Sequence, residues 1–251
     1  MVSGWRLPDH PLRGSVVTAK VVGLIIVVAV AVVARVVLSL GELYPLKAGA
    51  VFALVSVLAI GFLRANHPFS HFGPGNQMTT ARAMLVALVA SLIGEPGLPY
   101  AAAGAAGASL LVVALDGVDG WLARRTQMAS NFGARFDMEV DALLILALAI
   151  LVWRYDKAGA WVVLSGLLRY LFVAAGWWWQ WLRSPFPPSR RGKVICVVQI
   201  VGLTVAIAPI VTPSVSVLLA GAALLALCYS FLIDTVWLWR HAGRPGGAGV
   251  S

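Results

Sequence analysis

Residues 116–141 read DGVDGWLARRTQMASNFGARFDMEVD, and they concentrate acidic side chains in a chain that otherwise has few of them. The whole chain of 251 residues has ten Asp and Glu residues. Five of them fall in this stretch: Asp116, Asp119, Asp137, Glu139 and Asp141. Long apolar segments flank it on both sides. Carboxylates at a membrane boundary are costly and repel one another, so a cluster of them needs a cationic partner, and a divalent metal ion is the first candidate.

Helical spacing divides this stretch into two faces. One side of a first helix carries residues at i, i+3, i+4, i+7 and i+8: Asp116, Asp119, Gly120, Ala123 and Arg124. One side of a second helix carries residues at every fourth position: Gly133, Asp137 and Asp141. The segment TQMASN between them contains turn-forming Ser and Asn. We therefore predict that two adjacent helices each present two aspartates to a shared cleft, with Glu139 pointing away from it.

The composition predicts a membrane protein. The chain is 60% hydrophobic and 12% charged, whereas soluble domains are about 25% charged. Eight apolar segments are candidate spans: 15–34, 47–63, 80–94, 99–115, 138–153, 158–178, 194–211 and 213–237. Several are shorter than the ~20 residues of a full crossing, so we expect their helices to extend into the polar flanks. The predicted fold class is an all-α polytopic membrane protein.

The distribution of basic residues predicts the orientation of the chain. The net charge is +9, and with eight crossings most Lys and Arg residues fall on the same side as both termini and the aspartates. The external loops carry only Lys47, Arg154 and Lys157. The positive-inside rule then places both termini and the aspartates on the cytoplasmic side, and the expected location is the inner (cytoplasmic) membrane. Anionic membrane lipids explain the basic surface, and no nucleic-acid partner is expected.

Four segments are predicted along the chain. Residues 1–14 form a cytoplasmic lead, and residues 15–65 form an accessory pair of transmembrane helices. The sequence NHPFSHFGPG at 66–75 marks a boundary, since Pro and Gly interrupt helices there. Residues 76–237 form a six-helix core, and 238–251 a disordered cytoplasmic tail. Both cysteines lie in apolar spans, so no disulfide is inferred.

The residue types in the acidic stretch favour phosphate chemistry. Gly120 and Ala123 leave room for a bulky group to approach the first helix, and Arg124 offers a fork of donors that matches phosphate. Carboxylate oxygens suit Mg²⁺ or Mn²⁺ rather than zinc. Together these groups could hold a diphosphate during displacement at phosphorus. The alternative, aspartates solvated at helix ends, does not explain why small residues share their stripes.

The pattern D-x2-D-G-x2-A-R-x8-G-x3-D-x3-D resembles the signature of the CDP-alcohol phosphotransferase (CDP-alcohol phosphatidyltransferase) family of membrane enzymes. The resemblance extends upstream to Asn76-x2-Thr79-x2-Arg82, which is similar to an element before the first core helix of that family. It also fits the family's six-helix core over residues 76–237. The first two helices are additional to that core.

The resemblance implies specific roles. Two divalent ions, Mg²⁺ or Mn²⁺, would be ligated by four aspartates: Asp116, Asp119, Asp137 and Asp141. The CDP moiety would be contacted by, or lie near, Asn76, Thr79, Arg82, Asp119, Gly120, Ala123 and Arg124. Asp141 would be the general base, although a metal-bound carboxylate is a poor base unless it is only weakly ligated. From the residues alone, Asn76 and Thr79 could instead cap a helix, and Arg82 could extend towards the membrane surface.

The resemblance also implies the reaction, which is transfer of a phosphatidyl group from CDP-diacylglycerol to a polar alcohol acceptor with release of CMP. A phosphorylated acceptor needs basic residues, and the candidates are Arg135, Arg169, Arg190, Arg191 and Lys193. The segment from Gly192 to Leu203 resembles the G-K-V-x4-Q element of bacterial phosphatidylglycerophosphate synthases. It departs from them at Ile195 and Cys196, where those enzymes usually carry Lys-Thr. Glycerol 3-phosphate is the preferred acceptor.

Other functions fit parts of the sequence. The donor could be a soluble CDP-alcohol with a lipid acceptor, because the motif is shared. A divalent-cation transporter would place acidic residues along a transmembrane path, whereas here they gather at one boundary beside Arg124. A scaffold without activity would not require four intact aspartates. A homodimer is also possible, because Ala101–Gly107 offers a small-residue packing face.

Overall fold

A computed structural model of the protein describes residues 10–66, 72–126, 130–183 and 190–241. These residues form helices and no strands, which confirms the all-α prediction. Two short 3-10 helices, Ala160–Val163 and Gln180–Arg183, flank the sixth α-helix. In chain order, the α-helices of the described residues are α1 (His10–Val37), α2 (Tyr44–Asn66), α3 (Pro74–Ala90), α4 (Pro99–Arg125), α5 (Asn131–Arg154), α6 (Leu164–Trp178), α7 (Arg190–Ile207) and α8 (Pro213–His241).

Five of these helices are long and apolar enough to cross a membrane. They are α1, α2, α4, α8 and the continuous segment made by the first 3-10 helix and α6. Their outward faces are apolar, as on α1, where Ile25, Val33 and Val36 are exposed. A soluble bundle would cover such side chains, whereas lipid tails solvate them. The protein is therefore a polytopic membrane protein.

Each of the eight predicted spans overlaps a helix, but only five of the described helices are long and apolar enough to cross a membrane, and the helix ends also differ from those predicted. As expected, the helices extend into polar sequence, since α4 continues to Arg125 and α5 begins at Asn131. Helix α1 begins at His10, inside the predicted lead 1–14, because Pro11 lies in the first turn, where its missing N–H is not needed. Helix α8 continues to His241 and so includes the start of the predicted tail 238–251.

Helices α3 and α5 form the centre of the bundle. Helix α3 packs against α1, α2, α4 and α5, and α5 also packs against α6 and α7. The core side of α5 includes the fully buried Leu144, Leu148 and Leu151. Gly166 of α6 lies so close to α5 that an added Cβ would be 2.4 Å from the Cα of Leu146. This glycine lets the two backbones approach closely, and α5 is thereby held firmly in the interior.

A polar cluster joins α2 to the turn after α3, at the end of the bundle away from the aspartates. Lys47 forms an ion pair with the buried Glu95, whose carboxylate also accepts from the Gly41 N–H at 2.7 Å. Burial raises the pKa of Glu95, but hydrogen bonds from Lys47 and Gly41 outweigh it and leave that pKa below its usual value. Nearby, Lys157 donates to the Ala208 and Val211 carbonyls just past α7. Two of the three basic residues predicted outside thus bind groups of the protein itself.

Candidate metal and nucleotide site

Three of the four predicted aspartates converge in the structure. Asp116 projects from α4, and Asp137 and Asp141 project from successive turns of α5. One oxygen from each carboxylate lies within 4.8 Å of the others. The side chains are partly accessible, at 35% for Asp116, 30% for Asp137 and 15% for Asp141. The i, i+4 spacing on α5 therefore puts both of its aspartates on the face that meets Asp116.

The sequence predicted that the two helices carrying the aspartates are adjacent, but the described residues of α4 and α5 are not packed directly against each other. Within the described residues, α4 and α5 share few close approaches, whereas α3 and α7 each pack against both of them. The cleft therefore has four walls instead of two. Side chains of α3 and α7 can enter it, and two of them do.

Arg82 of α3 is the cationic partner of the aspartates in this structure. Its side chain is fully buried. Its Nη1 lies 2.9 Å from Oδ1 of Asp116 and also contacts Oδ1 of Asp137, while its Nη2 contacts Oδ1 of Asp141. The alternative that Arg82 extends to the membrane surface is wrong. A guanidinium offers donors on several sides, so one arginine can bring three carboxylates from two helices together.

The donor set fits divalent metal ions. The three carboxylates carry three negative charges and Arg82 carries one positive charge, so the described cluster keeps an excess of two negative charges. All candidate ligand atoms of this cluster are oxygens at mutual distances short enough for a shared ion. Hard cations such as Mg²⁺ and Mn²⁺ prefer this donor set. The residues present are therefore compatible with the expected cofactor.

Asn76 and Thr79 lie inside α3 and do not cap it. The N-cap is Gly73, whose φ of 77° suits glycine, and Pro74 begins the helix. The Asn76 side chain donates to the Phe72 carbonyl at 2.5 Å, and Thr79 Oγ1 donates to the Gly75 carbonyl at 3.2 Å. Both side chains are buried. The capping alternative is therefore wrong, and both residues lie on the same helix as Arg82, within two turns of it.

Asn76 also contacts the start of α5. Ser130 caps that helix by accepting from the Gly133 N–H at 3.1 Å. A Cβ on Gly133 would lie 2.8 Å from Oδ1 of Asn76, a separation that real Cβ atoms essentially never adopt. Gly133, the glycine of the signature, thus leaves the space that the Asn76 side-chain amide occupies.

Gly133→Ala is therefore expected to displace Asn76 and to weaken nucleotide binding by at least about tenfold, since small misplacements at an active site carry large costs. The measurement is the affinity of the detergent-solubilised protein for CDP in the presence of Mg²⁺. Gly14→Ala in α1 is the control, because an added Cβ there also meets nothing within 4 Å. Unchanged CDP affinity in Gly133→Ala would contradict this role.

Several predicted site residues lie outside what the structure describes. The side chains of Asp119, Ala123, Arg124 and Arg190 belong to this group, although all four residues lie in helices. Gly120 lies in α4, one turn beyond Asp116, and is half-buried.

Two of the remaining basic candidates for an acceptor site, Arg169 and Arg191, bind acidic residues of the protein. Arg169 donates to Glu139 at 2.6 Å and to the Met138 sulfur at 2.8 Å. Arg191 pairs with Asp234 of α8. Arg135 and Lys193 are exposed. The charges of Arg169 and Arg191 are thus matched within the protein, and Glu139 lies outside the aspartate cluster, as predicted.

Two residues near the site were not identified from the sequence. The Cys196 thiol of α7 lies 3.8 Å from Oδ2 of Asp141. Lys20 of α1, which the topology prediction counted among the cytoplasmic charges, is buried and donates to Thr80 of α3 at 3.0 Å. In the sequence Cys196 marks only a departure from similar synthases, and no local pattern relates Lys20 to a helix 60 residues away. Both contacts depend on helix packing.

Comparison with known proteins agrees with this site. The family model described as CDP-alcohol phosphatidyltransferase matches residues 74–233, which include all the described site residues from Asn76 to Cys196 and exclude α1 and α2. A curated relative from Bacillus subtilis (strain 168), named CDP-diacylglycerol--glycerol-3-phosphate 3-phosphatidyltransferase, is 32% identical over 115 residues. That match covers 41% of this chain and 58% of the relative. No solved structure gives a significant match. Because the family model spans well over half of the chain, including the aspartates and Arg82, the protein belongs to the CDP-alcohol phosphatidyltransferase family.

Proposed function

We propose that this protein is a membrane enzyme of phospholipid synthesis that transfers a phosphatidyl group from CDP-diacylglycerol to a polar alcohol and releases CMP. The observation that carries the proposal is the convergence of Asp116, Asp137 and Asp141 on Arg82, inside the region that the family model matches. The name of the bacterial relative supports the same donor.

Four aspartates are proposed to hold two divalent ions, Mg²⁺ or Mn²⁺: Asp116, Asp119, Asp137 and Asp141. When bound, the ions would neutralise the diphosphate of the donor and the charge that develops on CMP as it leaves. The chain's own contribution is the geometry. Arg82 holds carboxylates of α4 and α5 close together, and such preorganised groups need little rearrangement during the reaction.

The donor is proposed to bind along the α3 and α4 sides of the cleft. Gly120 and Ala123 leave space for the CDP group next to α4, and Arg124 supplies a guanidinium that suits a phosphate oxygen. On the α3 side of the cleft, Asn76 and Thr79 would line the donor site together with Arg82. The buried hydrogen bonds of Asn76 and Thr79 keep their side chains in fixed positions.

Asp141 is proposed to be the general base. It would take the proton from the acceptor hydroxyl as that oxygen bonds to the phosphatidyl phosphorus, while the bond from phosphorus to the CMP oxygen breaks. Asp141 is the least exposed of the three described aspartates. One of its oxygens faces Arg82 and the other faces Cys196. The acceptor hydroxyl would therefore arrive between α5 and α7.

Glycerol 3-phosphate is the proposed acceptor, as the name of the relative suggests. The exposed Arg135 and Lys193 lie near the start of α5 and of α7, on the side of the aspartates. Cys196 shows that α7 reaches Asp141, so the residues at 193–199 would contact the acceptor. This chain has Ile195 and Cys196 where the similar synthases carry Lys-Thr, and the acceptor assay must therefore include uncharged alcohols.

The proposed setting is the inner membrane of a bacterial cell, with the aspartate cleft towards the cytoplasm. Residues 76–237 would form the catalytic core, and 15–65 an accessory pair. A homodimer through Ala101–Gly107 of α4 is proposed as well, because this segment exposes Gly107 on the outer surface of the bundle. Crosslinking in native membranes that yields monomer alone would exclude the dimer.

A transport function is not supported by the cleft. A path for divalent cations would place acidic residues along the membrane-spanning helices. Here the three aspartates of the described cluster gather at one end of the bundle, near the end of α4 and the start of α5.

The test of the proposed function is CMP release by the purified protein in detergent with CDP-diacylglycerol and Mg²⁺ or Mn²⁺. The acceptor panel contains glycerol 3-phosphate, inositol phosphate, inositol, serine and glycerol. We expect metal-dependent CMP release with glycerol 3-phosphate, and the lipid product identifies the acceptor. Release only with a soluble CDP-alcohol donor would overturn the proposed donor. If the protein neither binds CDP nor releases CMP, the proposed enzymatic function is overturned.

A further inference from the structure

Lys20 is a buried lysine on the accessory helix α1, outside the region that the family model matches. Lys20 is 7% exposed. Its Nζ lies 4.4 Å from the ring centroid of Phe136, 5.5 Å from that of Phe72 and 6.0 Å from that of Phe52. These rings come from α5, from the residues before α3 and from α2. The amine therefore lies where the accessory pair meets the core.

Anchoring the accessory pair does not account for a lysine at this position. A lysine near the end of a membrane helix usually extends its amine to the surface, where water solvates the charge. Burying the amine instead carries a desolvation cost. The aromatic faces compensate for only part of that cost, whereas Leu or Met would fill the same space without it. The position of the amine therefore needs a separate reason.

The reason is a short chain of hydrogen bonds that ends at the nucleotide side of the cleft. Lys20 Nζ donates to Thr80 Oγ1 at 3.0 Å, and Thr80 Oγ1 donates to the Asn76 carbonyl at 2.9 Å. The Thr80 hydroxyl thus accepts a hydrogen bond from α1 and donates one within α3, which fixes its rotamer. The Asn76 side chain in turn donates to the carbonyl of Phe72, whose ring Lys20 also faces.

Aromatic contacts also link Lys20 to α5. Phe72 lies 6.2 Å from Phe132, and Phe132 stacks on Phe136 at 5.8 Å between centroids. Phe136 precedes Asp137, and Gly133 of the same helix is in contact with the Asn76 amide. Lys20 therefore touches both the α3 and the α5 supports of the proposed CDP site.

We propose that Lys20 is a positioning residue for the active site, supplied by the accessory helix: it holds the first two turns of α3, and with them Asn76, in the geometry that receives the cytidine diphosphate group. This inference rests on the proposed function for the identity of the ligand. It gives the accessory pair a role in substrate binding in addition to membrane anchoring.

The structure provides a matched control for this role. Lys47 and Glu95 form a second buried polar connection between the accessory pair and the core, but at the opposite end of α3. Tyr44 reinforces that connection by donating to the Leu88 carbonyl at 3.0 Å. Glu95→Gln weakens the attachment of the accessory pair without touching Asn76, so it separates loss of attachment from loss of positioning.

The experiment measures the affinity for CDP, by calorimetry in Mg²⁺, and the thermal unfolding temperature of full-length protein in detergent. The variants are Lys20→Met, Thr80→Val, Thr80→Ser, Glu95→Gln and the Lys20→Met/Thr80→Val double variant. We expect Lys20→Met and Thr80→Val each to lower CDP affinity roughly tenfold, and the double variant to lose little more, because coupled neighbours are not additive. Thr80→Ser keeps the hydroxyl and should retain affinity. Glu95→Gln should lower the unfolding temperature but not CDP affinity.

The outcomes separate this inference from the proposed function. Wild-type protein that binds no CDP would overturn both. Wild-type binding with equal affinity in Lys20→Met and Thr80→Val would overturn the positioning role alone. Equal losses of affinity in Glu95→Gln and Lys20→Met would also overturn it, since attachment alone would then explain the effect. If Lys20→Met does not fold, Thr80→Val against Thr80→Ser still decides, because their side chains differ little in size.

Discussion

Asp141→Asn is expected to abolish turnover while CDP-diacylglycerol binding stays largely intact. Asparagine keeps the shape of the side chain and can still contact Arg82 through its carbonyl oxygen, but it cannot take a proton from the acceptor hydroxyl. General bases contribute about 10²–10⁴-fold to turnover, so a loss in this range is the expected result. The measurement is CMP release at saturating acceptor, together with CDP-diacylglycerol affinity in the same preparation.

Asp116→Asn and Glu95→Gln are the controls for this prediction. Asp116 is proposed as a metal ligand with no role as a base, so its variant should weaken metal and nucleotide binding together. Glu95 is a buried, paired carboxylate at the other end of the bundle, and its variant should keep turnover. Near-normal turnover in both Asp141→Asn and Asp116→Asn would show that the site has been assigned wrongly.

Arg82→Gln is expected to cause the largest loss of stability of any single substitution in the cleft. Removing one partner of a buried ion pair costs about 3–5 kcal/mol, and here one guanidinium serves Asp116, Asp137 and Asp141. Divalent ions can replace part of the missing positive charge. We therefore expect Mn²⁺ to raise the thermal unfolding temperature of the variant more than that of the wild-type protein.

The control for this second prediction is Arg35→Gln. Arg35 pairs with Glu42 at 3.3 Å on the surface, where the two side chains are 41% and 90% exposed. Exposed pairs contribute about 0–1 kcal/mol, so this variant should unfold near the wild-type temperature with no special response to Mn²⁺. An Arg82→Gln protein that unfolds like wild type, with or without Mn²⁺, would refute the charge balance proposed for the cleft.

Much of the fold could be predicted from the sequence because its determinants are local. Apolar segments of near-membrane length predicted each α-helix, and the structure changed mainly their ends, as at His10 and His241. The ends were less predictable because a helix can continue into polar sequence wherever a turn residue does not stop it. The aspartate stripe on α5 was predictable for the same reason, since the helical period alone puts Asp137 and Asp141 on one face.

The roles of α3 and α7 in the cleft could not be predicted in this way. The sequence motif suggested a direct contact between the two aspartate helices, but α3 and α7 lie between them. Arg82 could have extended to the membrane surface or turned inward, and both conformations agree with a helical spacing. Which one occurs depends on where three carboxylates from other helices lie, and this is a property of the packed bundle.

The sequence by itself determined the all-α membrane fold, the family signature and the aspartates that share a face, because these follow from hydropathy and from the helical repeat. Only the tertiary structure decided that Arg82 pairs with three aspartates, that Cys196 lies against Asp141, and that Lys20 of an accessory helix donates to Thr80, which in turn donates to the Asn76 carbonyl. Apart from the bond within α3, each of these contacts joins residues more than 30 positions apart. Their geometry is set by how the helices pack, and no local spacing encodes it.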